Sequence, residues 1–231
     1  DDETATIAIT GVSGGGASES GTQTVTITIS ENESAPTVAL SVSATSIAEN
    51  AGTSLTITAT LSGAADEAVT VSLSTSSTAT EGTDYTDGSG NVDDITISAG
   101  STTGTVNFTP TDDSVYEGNE TATIAISGVS GADATENGTQ TVTITITENE
   151  SAPTVTLTRN TASIDENSAS VITLTATISG VTDSAVTVAL TTSGTATEGT
   201  DYGTISDITI SAGATTGTAT LDPTDDNVYE G

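Results

Sequence analysis

Carboxylates are the only reactive side chains this sequence holds in quantity, and they fall in a recurring pattern. Asp112, Asp113, Glu117 and Glu120 crowd into nine residues, Glu49 follows the Ile47-Ala48 pair, and Glu148 and Glu150 flank Asn149. The same types return at Glu166, Asp225, Asp226 and Glu230, while Glu3, Glu31 and Glu33 repeat the positions of Glu120, Glu148 and Glu150. Carboxylates gathered at one end of a fold repel one another unless a cation lies among them. Calcium accepts about six to eight oxygens in flexible geometry, so irregular loops can supply it, whereas magnesium demands strict octahedral order. With no His and no Cys, zinc, copper, haem and iron–sulfur centres lose their usual ligands. Two carboxylates can also serve glycoside hydrolysis. Here no His, Lys or Cys stands beside them, and five aromatic residues cannot line a substrate pocket, so no enzymatic activity is expected. The competing reading is plain solvation, in which the acids only keep the chain soluble.

The wider composition agrees with a cation as partner. One basic residue against 32 acids gives a formal net charge of −31 over 231 residues. Nucleic acid is excluded, because phosphate neutralisation needs clustered Lys and Arg, and an anionic membrane surface is equally disfavoured. No run approaches the ~20 apolar residues of a membrane span, and no leader pattern is present, so any targeting segment is expected to have been removed or to lie outside these residues. Disorder is the usual fate of acidic, weakly apolar chains. Here Val, Ile and Leu alternate with Thr and Ser, a β-strand pattern reinforced by the β-branched Thr. Without Cys, no disulfide can staple such thin cores.

The elements that must position the acids are repeated. Residues 31–38 (ENESAPTV) recur at 148–155, and Thr78 to Tyr85 (TATEGTDY) recurs at 195–202, both 117 residues further on. Pro110-Thr111-Asp112-Asp113 recurs at Pro223 to Asp226 with an offset of 113, which puts a four-residue deletion in the loop around Asp87 to Asp94. Residues 1–33 match 118–150. The expected organisation is therefore the last two strands of one repeat over 1–33, a complete repeat over 34–150, and a repeat lacking its last two strands over 151–231. Period-two runs at Val38–Val42, Leu55–Leu61, Val69–Leu73, Ile95–Ile97, Val106–Phe108, Ala122–Ile126 and Val142–Ile146 predict seven strands per repeat, the size of an immunoglobulin-like sandwich. The linker Glu148 to Pro153 is too short for free domain motion, so a stacked rod is expected. The permuted phase has two explanations: an excerpt of a longer repetitive chain, or a subunit whose open sandwich is completed by a neighbour's strands.

Four ordered pieces carry a family resemblance: Ser46 to Gly52 (SIAENAG), Thr78 to Tyr85, Ile95 to Gly100 (ITISAG) and Asp112 to Glu120 (DDSVYEGNE). In this order they resemble a Calx-beta domain, a module of sodium–calcium exchangers and of many giant bacterial surface proteins. The resemblance implies tandem all-β, immunoglobulin-like sandwiches with calcium at the tip facing the next domain. Its matching ligand positions are Glu49, Asp112, Asp113, Glu117 and Glu120, then Glu166, Asp225, Asp226 and Glu230. Two acidic positions of the calcium-sensing members are altered, to Ser76 and Ser193 and to the Glu148-Asn149-Glu150 linker, so fewer or weaker ions are expected.

Function is expected to be that of a secreted or cell-surface structural repeat, a calcium-stabilised rod or filament with an adhesive or matrix role. Its partners would be neighbouring repeats or identical subunits end to end, with a surface or glycan target possible and no membrane insertion. The alternative is a glycan- or ice-recognition module, or a spacer in a secreted multidomain protein. Tyr85, Tyr116, Tyr202 and Tyr229 are expected to close thin cores, their hydroxyls reaching backbone groups.

Overall fold

The computed structural model describes residues 2–87, 92–226 and 228. Part of the expected 87–94 loop, together with Tyr229 and Glu230, lies outside these residues. Strands β1 (Glu3–Ala8) and β2 (Thr24–Ile29) form an antiparallel hairpin that pairs with no other strand among the described residues. A closed unit follows, from β3 (Thr37–Val42) through β4 (Ser46–Ala48), β5 (Leu55–Leu61), β6 (Val69–Ser76), β7 (Tyr85–Thr86), β8 (Ile95–Ile97), β9 (Thr103–Pro110), β10 (Val115–Tyr116), β11 (Glu120–Ser130) and β12 (Thr135–Glu136) to β13 (Thr141–Thr147). Its two sheets run β4-β13-β11-β6-β8 and β12-β3-β5-β9-β7. The chain continues with β14 (Val155–Arg159), β15 (Ile172–Ile178), β16 (Val181–Thr182), β17 (Val186–Val188), β18 (Ile208–Ile210) and β19 (Thr216–Leu221). Here the sheets are smaller, β14-β15-β19 and β17-β18, and the unit is open. Among the described residues no helix is long and apolar enough to cross a membrane.

Period-two alternation decides which side chains meet between the sheets. In β5, Ile57, Ala59 and Leu61 point inward, opposed across the sandwich by Val69 and Val71 of β6 and Ile124 of β11, all essentially buried. Thr and Ser take the outward positions, and hydroxyls pair across strands, as between Thr123 and Thr143 at 3.3 Å. Tyr85 and Phe108 are fully buried and stack with centroids 4.5 Å apart. They are the two largest fully buried side chains in a core otherwise made of aliphatic ones. The Tyr85 hydroxyl meets the Thr75 side chain, not a backbone group as expected, because Thr75 sits on the adjoining inner face of β6. Gly104 lets β9 approach β8: a Cβ there would lie 2.6 Å from the Thr96 carbonyl oxygen, and Gly217 repeats the arrangement at 2.5 Å from Thr209.

All seven expected strands of the closed unit are present, with four short ones besides. Ser46–Ala48, outside the seven expected strands, is a strand because Ile47 is buried and the segment pairs in parallel with the end of β13. β7 and β12 extend the second sheet at its two edges. β10 looks outward: it pairs in parallel with β16 of the following unit, Val115 with Val181 and Tyr116 with Thr182.

Removal of the stacked ring tests this core. Phe108→Ala is expected to destabilise the closed unit by ~3–5 kcal/mol, the usual cost of emptying a fully buried aromatic site. Urea unfolding followed by tyrosine fluorescence measures it, and a loss under ~1 kcal/mol would show that the core does not depend on the stack.

Candidate metal centre

Two three-carboxylate clusters lie in the closed unit. In the first, Glu49, Glu148 and Glu150 bring one oxygen each within 4.8 Å of one another; in the second, Asp84, Glu117 and Glu120 do the same. Topology explains the first. The Glu49 N–H donates to the Thr147 carbonyl at 3.0 Å, continuing the β4–β13 pairing past its end. That contact sets the Glu49 side chain beside the linker acids that follow β13. Only 6% of Glu49 is exposed, and its Oε1 accepts the Asp113 N–H at 3.2 Å.

The acids differ in how far the backbone serves them. Glu148 Oε2 accepts the N–H groups of Glu117 and Gly118 at 2.6 and 2.8 Å, and Oε1 accepts those of Asn149 and Glu150, each at 2.9 Å. Burial alone would raise its pKa, but these donors outweigh burial and bring it down to about 2. Glu150 is pushed the other way, by hydrogen bonding to the Glu148 carboxylate, then burial, then the charges of Glu148 and Asp112. Its Oε2 is buried with no hydrogen-bond donor facing it. Burial first, and then the charges of Glu148, Glu150 and Asp113, push Glu49 up to about 7 despite the Asp113 N–H. An acceptor oxygen without a donor, and two acids, Glu49 and Glu150, pushed up by burial and by neighbouring carboxylates, are what a hard cation relieves.

In the second cluster Asp84 is fixed by its own turn, its Oδ2 accepting the Thr80 N–H at 2.5 Å. Burial, with the charges of Asp84, Asp113 and Asp183 next, pushes Glu117 up to about 7. Glu120 rises to about 7 through burial and then through Asp84, both by its charge and by a hydrogen bond. Asp183 belongs to the following unit. It immediately follows β16, and its N–H donates to the Tyr116 carbonyl at 3.4 Å, so the β10–β16 bridge brings a carboxylate of the next unit to this site.

The sequence-predicted acids are thus gathered unevenly. Glu49, Glu117, Glu120, Glu148 and Glu150 lie in the two clusters. Asp113 sits between them, its Oδ1 accepting the Val115 N–H at 2.7 Å, and Asp112 lies outside, accepting the Asn149 amide at 3.4 Å. In the open unit Glu166 accepts the Asp226 N–H at 3.0 Å and Asp226 the Val228 N–H at 2.6 Å, repeating Glu49 and Asp113, but no cluster forms there among the described residues. Asp225 is exposed. In the hairpin Glu31 repeats the Glu148 turn, accepting the N–H groups of Asn32 and Glu33 at 2.9 and 3.0 Å. Hydrogen bonding with the Glu33 side chain chiefly brings Glu31 down to about 2 and raises Glu33. Glu3 pairs with Ile29 in the hairpin. Asp84 and Asp183 were missed, although both carry a signal: Asp84 recurs as Asp201 within the TATEGTDY segment, and Asp183 recurs from Asp66. Glu81 and Asp94 look similar in sequence but are used structurally, accepting the Val92 and Leu73 N–H groups.

Two successive all-β units, with acids collected near the bridge that links them, define a tandem all-β repeat. The Calx-beta domain profile matches residues 31–150 and again 148–231, and the chain belongs to the Calx-beta domain family. Among solved structures it is similar to the apo form of the Calx CBD1 domain, at 18% identity and TM-score 0.40, covering 49% of this chain and 98% of that one. It is also similar to CBD12 from CALX1.2 (18% identity, TM-score 0.41, covering 80% of this chain and 74% of that one). The calcium binding domain CBD12 of CALX1.1 matches at 18% identity and TM-score 0.39, with 78% and 73% covered. No curated protein matches the chain.

The raised acids make a pH prediction. Carboxyls whose folded pKa lies above the ordinary 4.5, up to about 7 for Glu49, Glu117 and Glu120, stabilise the fold below pH 4.5 and lose that contribution as pH climbs through 7. In chelator, melting temperature is expected to fall between pH 4.5 and 7, and the triple variant Glu49→Gln, Glu117→Gln, Glu120→Gln to flatten the fall. Glu148 acts oppositely, its contribution disappearing only below pH 4.5 towards 2. A profile rising from pH 4.5 to 7 would refute the crowding.

Proposed function

We propose that this chain is a calcium-binding structural repeat of an extracellular rod or filament, with an adhesive or matrix role and no catalytic one. The observation that carries it is the pairing of two carboxylate clusters with the junction between units. Glu49, Glu148 and Glu150 would hold one ion, with the donorless Oε2 of Glu150 as an anchor. Asp84, Glu117 and Glu120 would hold another, and Asp183 of the following unit lies in their field. The ion's contribution is charge neutralisation at the junction. The linker and the β10–β16 bridge then hold adjacent units in one orientation, and repeated along a longer chain this makes a stiff, acidic rod. Neighbouring repeats or identical subunits end to end are its natural partners. All donors are oxygens and most lie on loops, which suits calcium over magnesium.

Differential scanning calorimetry with calcium, magnesium and chelator tests the reading. Calcium at one hundred times its dissociation constant should add about 2.7 kcal/mol to the stability of the folded state, and magnesium markedly less. A calcium-independent melting temperature would sink it. Asp183→Asn tests the junction separately. It is expected to lower calcium affinity several-fold at the second cluster while leaving the melting temperature in chelator unchanged or slightly raised. An affinity equal to that of the unaltered chain would remove Asp183 from the site.

A further inference from the structure

Asn137 is the only asparagine of the chain that a glycine follows. The pair lies in the turn between β12 and β13, where Gly138 takes a φ of +67° and an added Cβ would meet nothing within 4 Å. Asn137, Gly138 and Thr139 are all exposed. The turn is anchored through its backbone. The Asn137 N–H donates to the Val38 carbonyl at 2.9 Å, and the Asn137 carbonyl accepts the Gln140 side-chain amide at 2.5 Å. Gln140 in turn holds the neighbouring strand, its Oε1 accepting the Leu40 N–H at 3.2 Å. The side-chain amide of Asn137, by contrast, makes no hydrogen bond among the described residues.

The hairpin shows that this amide is not needed to build the turn. Residues 17–23 match 134–140, with Ser20 in place of Asn137. Glu19 Oε1 accepts the Gln23 N–H at 2.6 Å, as Glu136 Oε1 accepts that of Gln140 at 2.5 Å. The Gln23 side chain donates to the Ser20 carbonyl at 2.6 Å, and Gly21 takes a φ of +70°. The same turn thus forms around serine, which leaves the Asn137 amide free for chemistry of its own.

We propose that Asn137 is a site of spontaneous covalent modification, at which the chain attacks its own side chain and becomes an aspartate or isoaspartate. The Gly138 nitrogen gives its proton to hydroxide and bonds to Cγ of Asn137. The Cγ–N bond of the amide breaks, ammonia leaves, and a cyclic imide remains. Water then opens the ring, at Cγ to give aspartate or at the main-chain carbonyl to give isoaspartate. Glycine permits the attack because no Cβ crowds the nitrogen. The Gly138 N–H must first leave the Glu136 carbonyl, to which it donates at 3.0 Å across a three-residue turn at the surface. Either product adds a carboxylate. Isoaspartate also inserts a methylene into the main chain between the Asn137 Cα and Gly138. The Val38 and Gln140 anchors then cannot both keep their geometry, and the β12–β3 edge loosens beside Leu40.

Ageing the folded chain at mildly alkaline pH, followed by digestion with a glutamate-specific protease, tests this. Cleavage after Glu136 and Glu148 releases residues 137–148 as one peptide. Its mass is expected to rise by the difference between an amide and an acid, and isoaspartate methyltransferase to methylate it. Conversion should run at least ~tenfold faster at Asn137 than at Asn32, Asn119 and Asn149, each followed by a glutamate whose Cβ hinders the attack. Asn137→Ser, which places the hairpin's residue in the same turn, should remove methylation of this peptide. Fresh, that variant and the unaltered chain should melt alike; after equal ageing the unaltered chain should melt lower. Conversion at Asn137 no faster than at the other three asparagines, or only after denaturation, would overturn the proposal. Equal melting of the two aged chains would overturn the loosening of the β12–β3 edge.

Discussion

With one arginine against 32 acids, this chain cannot neutralise its carboxylates with its own side chains. Every acid brought near another must be served by backbone N–H groups, by neutral hydroxyl and amide side chains, by water, or by an ion from outside. The structure divides them on that basis. Glu81, Asp94 and Glu148 are fed by main-chain donors and act as fasteners for loops and strand ends. Glu49, Glu117, Glu120 and Glu150 are pressed together where donors run out, at the end of the sandwich that meets the next unit. The Thr-rich outer faces carry few acids, so the charge concentrates where the units join.

The thin core follows from the same economy of residue types. Two aromatic rings, one stack and a layer of Ile, Val, Leu and Ala hold a closed unit without disulfide help. Close approach of the sheets matters correspondingly more, which is why Gly104 and Gly217 face carbonyl oxygens that would collide with any added carbon. Where the covering strand pair is present the aliphatic layer is dry.

Much of this was legible in the sequence. Period-two alternation named all seven long strands of the closed unit, because in a two-layer sandwich one face of each strand must be apolar. Spacing alone located Glu49 and the Asp112–Glu120 run, because the segments repeat. The short strands were not legible: Ser46–Ala48 is three residues long, too short to show an alternation, and its pairing depends on β13, a hundred residues away. Asp84 was hidden for a similar reason. It lies in a turn twenty-eight residues upstream of Asp112, and only the β7–β9 pairing brings it to Glu117 and Glu120. Asp183 needed the junction itself, a two-residue contact with no sequence signature of its own.

That contact has a mechanical meaning. A joint held only by the short linker between β13 and β14 is a single attachment, which constrains two units at one point. The β10–β16 bridge adds a second point of attachment, away from the linker, and two separated attachments resist both twisting and bending. The lever arm between them is spanned by side chains of like charge. That repulsion is screened by salt, so the charge balance at the joint depends on the ionic content of the surroundings.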